Sequence, residues 1–529
     1  MDVVKWIRLP QHRDRLVSAL ILLLAIASQF PLFRGQFDGE DETLQLHTVT
    51  RILNALRDWQ VPASLFEIIG ALSTEPHPPL RFLISLPGVA LLPGTELGLR
   101  LGAIILSVAM TWMAMSWGEA LRGRAGRWIA GLYVATSGVY NWTSMAFAWS
   151  AICVCLFKMF IILKDASCKL ADPAQRRVFH RLNLLCILMF LVSTGSLLFT
   201  VGLGLVYLRH NRPATVVRAS LPHVGFYAAY YLYILVAAPW AYQLLTKRPL
   251  RSGQVTQNVA RAGDTGLGLT SLGENLAGLN AYLLPFVSWL LLGFGAYVLW
   301  GTRKDLLLLV APCVVAWSLV LRGATQQYFL LAVLPVIVTG VVTLFAVPRR
   351  SRVARTLATA GLVAILGSQA LWNWHVFIRS YTETTYPWSS LRRFYALAER
   401  VHNIVHPYPE LARDLDRLMK PDERIASEVG GSFFMFYYND NPRRLHHSRL
   451  ARHLSEADFR LDATHCFRLI TPVDPSTVVV LSRRTLCADQ FRELREYPGS
   501  HIKLYLLAPN RSALDRGHVP NSPETMHGG

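Results

Sequence analysis

The chain has 529 residues, of which 52% are hydrophobic and only 16% are charged, with a formal net charge of +19. A soluble domain carries roughly 25% charged residues, so the deficit excludes an ordinary soluble globular protein. The excess of Lys and Arg is no nucleic-acid footprint either. Those residues sit in short loops between apolar runs, the positive-inside pattern, rather than on one face of a polar domain.

The first apolar run, residues 16–33, follows a basic N-terminus containing Lys5, Arg8, Arg13 and Arg15. No small-residue cleavage site follows it, so it is read as an uncleaved helix rather than a leader. Further apolar runs occupy 97–121, 128–143, 146–163, 182–208, 221–245, 281–300, 306–321, 328–347 and 356–378. About 20 apolar residues cross the hydrocarbon core as a helix. Lipid offers the backbone no hydrogen-bond partners, so these runs are predicted to be helices.

Two segments are ambiguous in length. Residues 80–93 are short and contain Pro87 and Pro93, which suits an interfacial or re-entrant segment. Residues 182–208 are long for one upright helix and are interrupted at Ser193–Ser196. Loop charge favours a short 80–93 that does not span and a 182–208 that forms a pair. The loops 122–127, 164–181, 209–218, 303–304 and 349–355, all basic, then fall on one side. The total is about 11 spans. Residues 34–93, 246–280 and 380–529 fall on the other side.

The last of these segments is polar and long enough for a small domain. Residues 424–428, 477–481 and 502–507 read as strands, and 411–419 and 488–495 as helices. The expected organisation is an all-α polytopic membrane domain over 1–379, an exported α/β domain over 380–509 and a disordered tail over 510–529. Of seven cysteines, Cys153, Cys155, Cys168, Cys186 and Cys313 lie in or beside apolar runs as packing residues. Cys466 and Cys487 lie in the polar tail, where export permits them to pair or to stay free. No cysteine spacing resembles a metal site.

Chemistry-bearing residues cluster after the first run. Asp38, Glu40, Asp41 and Glu42 place four carboxylates within five residues, in a chain with only 34 acids. Behind them, 43–59 carries Leu46, Val49, Leu53 and Leu56 at helical spacing, with His47, Arg51, Asn54 and Arg57 opposite, as in an amphipathic helix on a membrane surface. The acids then cap that helix, or one of them serves as a general base; the two roles are compatible for neighbours. Further on, Glu75 and His77 sit in Thr74-Glu75-Pro76-His77-Pro78-Pro79, where the prolines hold the chain extended. A rigid turn is the plain reading. Two ionisable groups on a stiff segment at the same interface make the functional one. Trp372, Trp374 and His375 suit an interfacial belt. Tyr227, Tyr230, Tyr231 and Tyr233 suit helix packing or the wall of a lipid groove.

In order, the chain presents a first helix, Asp41-Glu42, a surface helix, His77-Pro78-Pro79-Leu80, Arg100-Leu101 opening the next span, and a basic loop. This series resembles the GT-C membrane glycosyltransferases, the superfamily of protein O-mannosyltransferases and aminoarabinose transferases. Gln327-Tyr328 with Leu334-Pro335 resembles a late-helix motif of that superfamily. The resemblance covers about the first 165 residues in motifs and the rest in architecture.

The resemblance implies a sugar donor linked to polyprenyl phosphate, and a glycan, lipid or protein acceptor outside the cytoplasm. It gives Asp41 the place of the catalytic base and Glu42 that of its acidic neighbour. It puts Glu75 and His77 on the acceptor side, and Arg100 and Tyr328 near the donor phosphate. Where the family often has Arg before Tyr, this chain has Gln327; Arg322 is the expected substitute. No cofactor is required, although Asp38, Glu40, Asp41 and Glu42 can supply oxygen ligands to a divalent metal. A bacterial inner membrane is the expected location. The competing reading is a lipid-linked sugar flippase or another transporter. Against it, the apolar runs are nearly free of charge away from their ends, whereas transporters place ionisable groups or broken helices at mid-membrane.

Overall fold

A computed structural model describes residues 10–29, 39–60, 64–65, 68–70, 78–93, 95–137, 148–237, 240, 284, 286–319, 324–346, 351–373, 408–420, 423–428, 450–454, 456–497 and 502–507. The chain divides into two compact units. One comprises Met1–Gly35, Thr48–Thr382 and Trp388–Glu399; the other comprises Gln36–His47, Glu383–Pro387 and Arg400–Gly529.

The described part of the first unit is helical. The helices are α1 (Pro10–Ala27), α2 (Gly39–Arg57), which enters it at Thr48, α3 (Pro79–Leu91), α4 (Glu96–Thr136), α5 (Trp149–Asp165), α6 (Pro173–Val192), α7 (Leu197–His210), α8 (Pro213–Leu232), α9 (Val287–Thr302), α10 (Lys304–Leu319), α11 (Ala324–Phe345) and α12 (Arg352–Asn373). Among the described residues the apolar runs are therefore helices, as expected.

The run 97–121 and the part of 128–143 up to Thr136 fall within one helical stretch of 41 residues, which is two limbs rather than one rod. Arg122 (φ −144°, ψ 29°) and Gly123 (φ 60°, ψ −149°) leave the helical region between them, and the Gly123 conformation is one that only glycine adopts without strain. The limbs then fold back on each other. A Cβ on Gly118 would stand 2.2 Å from the Gly126 carbonyl oxygen, and one on Gly131 would stand 2.6 Å from Met115. The expected basic loop 122–127 thus shrinks to its first two residues, and Arg124 and Arg127 open the second limb.

The other basic loops shorten for a similar reason. Asp172 caps α6, its carboxylate accepting from Ala174 N at 2.8 Å, and Pro173 occupies the first helical position. Arg176, Arg177 and Arg181 therefore lie on the helix rather than before it. Pro213 starts α8 in the same way. The run 182–208 breaks at Ser193, which is extended, and at the 3-10 turn Thr194–Ser196. This divides it into α6 and α7, as loop charge predicted. Helix α3 has 13 residues, about 20 Å at 1.5 Å per residue, against a hydrocarbon core of about 30 Å.

At the centre, α4 packs on α1, α3, α5 and α11. Trp117 donates from Nε1 to Thr339 Oγ1 at 3.1 Å, tying α4 to α11, and its ring meets Phe160 of α5 edge-on at 5.5 Å. Gly295 of α9 meets the backbone of Val336 on α11, close approach by small residues being the usual way helices adhere in lipid. The tyrosines of α8 surround Phe190 of α6, with Tyr227, Tyr230 and Tyr231 ring centroids at 4.8, 5.1 and 5.9 Å. They are packing residues. Trp372 packs against the helical core; Trp374 and His375 lie outside the described residues, as do 246–280. Cys153, Cys168, Cys186 and Cys313 are buried free thiols and Cys155 a half-buried one.

In the second unit, α13 (Tyr408–Leu418) accompanies a five-stranded sheet. Its strands are β1 (Arg424–Ser427), β2 (Leu450–His453), β5 (Thr477–Ser482), β6 (Phe491–Tyr497) and β7 (Ile502–Leu507), in the order β2-β1-β5-β7-β6. β1 runs parallel to β2 and β5; β7 is antiparallel to β5 and β6. β3 (Phe459–Leu461) and β4 (Phe467–Leu469) form a separate antiparallel pair. One expectation fails here: 488–495 is not a helix but leads into β6. Phe491 and Tyr497 are buried at its two ends, and pairing with β7 overrides the helix preference of the Arg and Glu between them. Residues 510–529 lie outside the described residues.

Cys466 and Cys487 are disulfide-bonded, with Cα atoms 5.0 Å apart. The bond spans 21 positions of sequence, which is worth roughly 3 kcal/mol by loop-closure entropy. Cys487→Ser is therefore expected to lower the unfolding temperature of this unit, and reductant to lower it in wild type but not in the variant. Equal sensitivity of both proteins to reductant contradicts the pairing.

Candidate functional site

Arg100 lies in the second turn of α4, which Thr95 caps by accepting from Gly98 N at 3.0 Å. It is fully buried, at 0% exposure. A buried guanidinium is costly unless anions or acceptors surround it, so its retention at the mouth of a helix marks a polar place in an apolar bundle. A second buried cation went unread in the sequence: Arg81, on the first turn of α3, is 2% exposed. Helices α3 and α4 pack antiparallel, since a Cβ on Gly102 would meet Ile84 O at 2.1 Å and one on Gly88 would meet Gly98 O at 2.2 Å. Ile84 is one turn from Arg81, and Gly102 is half a turn from Arg100. Both arginines therefore belong to this one helix pair. The only signal for Arg81 in the sequence was its place directly after the proline-rich segment.

The start of α5 links this pair to Tyr328. Ser150 donates from Oγ to Ala103 O at 3.1 Å, one turn beyond Arg100. The neighbouring Trp149 ring meets the Tyr328 ring at 5.4 Å, edge to face. Tyr328 is 7% exposed, and its hydroxyl shares a short hydrogen bond with Ser193 Oγ at the α6–α7 break. Gly195 makes room for it, since a Cβ there would fall 2.2 Å from the ring. Ser196, the last residue of that turn, holds a buried Oγ with no hydrogen-bond partner among the described residues. Such an atom is ordinarily satisfied by water or a ligand.

The structure thus brings Arg100 and Tyr328 to one end of the bundle, on either side of Trp149 and Ser150. Tyr328→Phe separates two roles for the tyrosine. If the hydroxyl serves packing alone, the variant loses about 1 kcal/mol of stability with unchanged donor affinity. If it contacts the donor phosphate, the apparent KM for donor rises several-fold.

Helix α2 begins at Gly39, four residues earlier than the pattern predicted, so Glu40, Asp41 and Glu42 lie in its first turn. Its buried stripe is Leu46, Val49 and Ile52, while Leu56 is 44% exposed. The expected face is rotated, and those apolar residues are covered by protein rather than laid on lipid. The side chains of Asp41 and Glu42 lie outside the described residues, as do Asp38, Glu75, His77, Arg322 and the side chain of Gln327.

No protein-family model and no curated protein sequence matches the chain. Solved structures do. The crystal structure of ArnT from Cupriavidus metallidurans bound to undecaprenyl phosphate is 13% identical, and the match covers 93% of this chain and 97% of that one, with a TM-score of 0.51. The same protein in its apo state is 12% identical over the same shares, with a TM-score of 0.53. The helical unit followed by a small sheet-containing unit therefore has an ArnT-like fold.

Proposed function

We propose that the protein is an inverting glycosyltransferase. It moves a sugar from a polyprenyl-phosphate carrier to an acceptor on the extracytoplasmic side of a bacterial inner membrane, in the building of lipopolysaccharide, another envelope glycan or a glycoprotein. The observation that carries this reading is the end-to-end likeness to ArnT, one of whose structures holds undecaprenyl phosphate. The buried Arg100 supports it, because a planar guanidinium binds phosphate bidentately. The Cys466–Cys487 disulfide supports the sidedness, since disulfides persist in oxidising compartments.

In the proposed step an acceptor hydroxyl attacks the anomeric carbon, and the bond from that carbon to the phosphate oxygen breaks. Polyprenyl phosphate leaves as an anion, so little acid catalysis is needed. Asp41 takes the acceptor proton, with Glu42 beside it. Glu75 and His77 serve the acceptor. Arg100, Arg322 and Tyr328 serve the donor phosphate. The step as written needs no metal.

The test is transfer by the purified protein from a panel of polyprenyl-phosphate pentoses and hexoses to envelope acceptors. Release of polyprenyl phosphate that depends on acceptor is the expected result. No turnover, together with movement of lipid-linked sugar across a reconstituted bilayer, makes the protein a flippase instead.

A further inference from the structure

A second site lies toward the hairpin turn of α4. Asp14, Arg15, Ser18, Ala19 and Leu22 of α1 and Trp112 and Arg127 of α4 line a half-open cavity of about 650 Å³. Trp112 is 12 positions beyond Arg100 on the same limb, about 18 Å at 1.5 Å per residue. Arg127 stands just past the hairpin turn. The cavity is therefore separate from the region of Arg100 and Tyr328.

Its walls combine two chemistries. Leu22 and Ala19 are aliphatic, and Trp112 is an indole 45% exposed, the residue type that gathers at headgroup depth. The charged wall is cationic. The Asp14 carboxylate is already engaged by Arg124 and one Arg127 nitrogen by Glu119, which leaves Arg15 and the remaining donors of Arg127. Arg127 stacks over the Trp112 ring at 4.8 Å and reaches Glu119 with Nη1 at 2.7 Å. Its Nε is buried with no hydrogen-bond partner among the described residues. Arg15 is exposed. An oxyanion with an apolar tail satisfies all of this at once: oxygens for the Arg127 Nε and Arg15, glycerol and acyl carbons for Trp112 and Leu22. Basic pockets between membrane helices hold anionic headgroups in this way.

The geometry points to a binding site for one anionic glycerophospholipid, seated between α1 and the α4 hairpin in the leaflet at the hairpin-turn end. The lipid clamps α1 to both limbs of α4. This inference rests on the membrane fold alone and not on the transferase reading.

The test is native mass spectrometry of the full chain, delipidated and titrated with phosphatidylglycerol or phosphatidylcholine. Wild type is expected to retain one phosphatidylglycerol, bound at least 10-fold more tightly than phosphatidylcholine. Arg15→Gln/Arg127→Gln is expected to lose that preference while Arg355→Gln, an exposed arginine on α12, keeps it. Arg15→Gln alone, which removes an exposed side chain, is expected to weaken binding several-fold and covers the case of a double variant that fails to fold. Undiminished binding by Arg15→Gln, equal affinity for the two lipids, or displacement of the bound lipid by polyprenyl phosphate each overturns the proposal. Loss of transfer activity with lipid binding intact leaves this site standing and removes only the function proposed above.

Discussion

Replacing Asp41 by Asn is expected to lower kcat by about 10²–10⁴-fold, the usual worth of a positioned general base, with donor affinity and thermal stability unchanged. The amide keeps the shape of the carboxylate but cannot take the acceptor proton. The backbone of Asp41 lies in the first turn of α2. Glu42→Gln is expected to cost less. Wild-type rates in Asp41→Asn with a dead Glu42→Gln move the base one residue along, and full activity in both removes the acidic turn from catalysis.

Gly118→Leu is expected to prevent the α4 hairpin from closing. Ordinary overpacking costs about 1–3 kcal/mol because side chains can shift. Here the obstacle is backbone, the Gly126 carbonyl oxygen 2.2 Å from the new Cβ, so the limbs must separate along their length. Trp117 then loses its register with Thr339, and α1, which packs on α4, loses its seat. The measurement is the fraction of monodisperse protein after detergent extraction and its unfolding temperature. Gly204→Leu is the control, because a Cβ at Gly204 meets nothing within 4 Å. Equal behaviour of the two variants rules out the tight hairpin.

Much of this architecture was readable because lipid imposes a simple code. Apolar length names a helix, and loop charge decides whether a long run is one span or two; the division of 182–208 follows from that charge together with the polar interruption at Ser193–Ser196. The code is blind to loop length. Arg124, Arg127, Arg176 and Arg181 were read as loop when they are helical. In the second unit, burial on a sheet outweighs local preference, so Phe491–Tyr497 misleads a reading built on its Arg and Glu residues.

The site was half legible. Arg100 and Tyr328, placed by family resemblance, lie at one end of the bundle. Arg81 carried no motif of its own, and its burial is a consequence of α3–α4 packing that no single-chain pattern reports. Trp149 and Ser150, which join the two, follow residues with no distinctive spacing.

The last strand of the sheet order has a bearing on self-association. β6 has a partner on one side only among the described strands, and a bare strand edge is a template for polymerisation. Between its buried ends this one carries Arg492, Glu493, Arg495 and Glu496, and its register slips between Glu493 and Arg495. Alternating charge and a bulge deny a second molecule a flat, neutral row to dock against. That edge keeps neighbouring copies of the chain from pairing strand to strand.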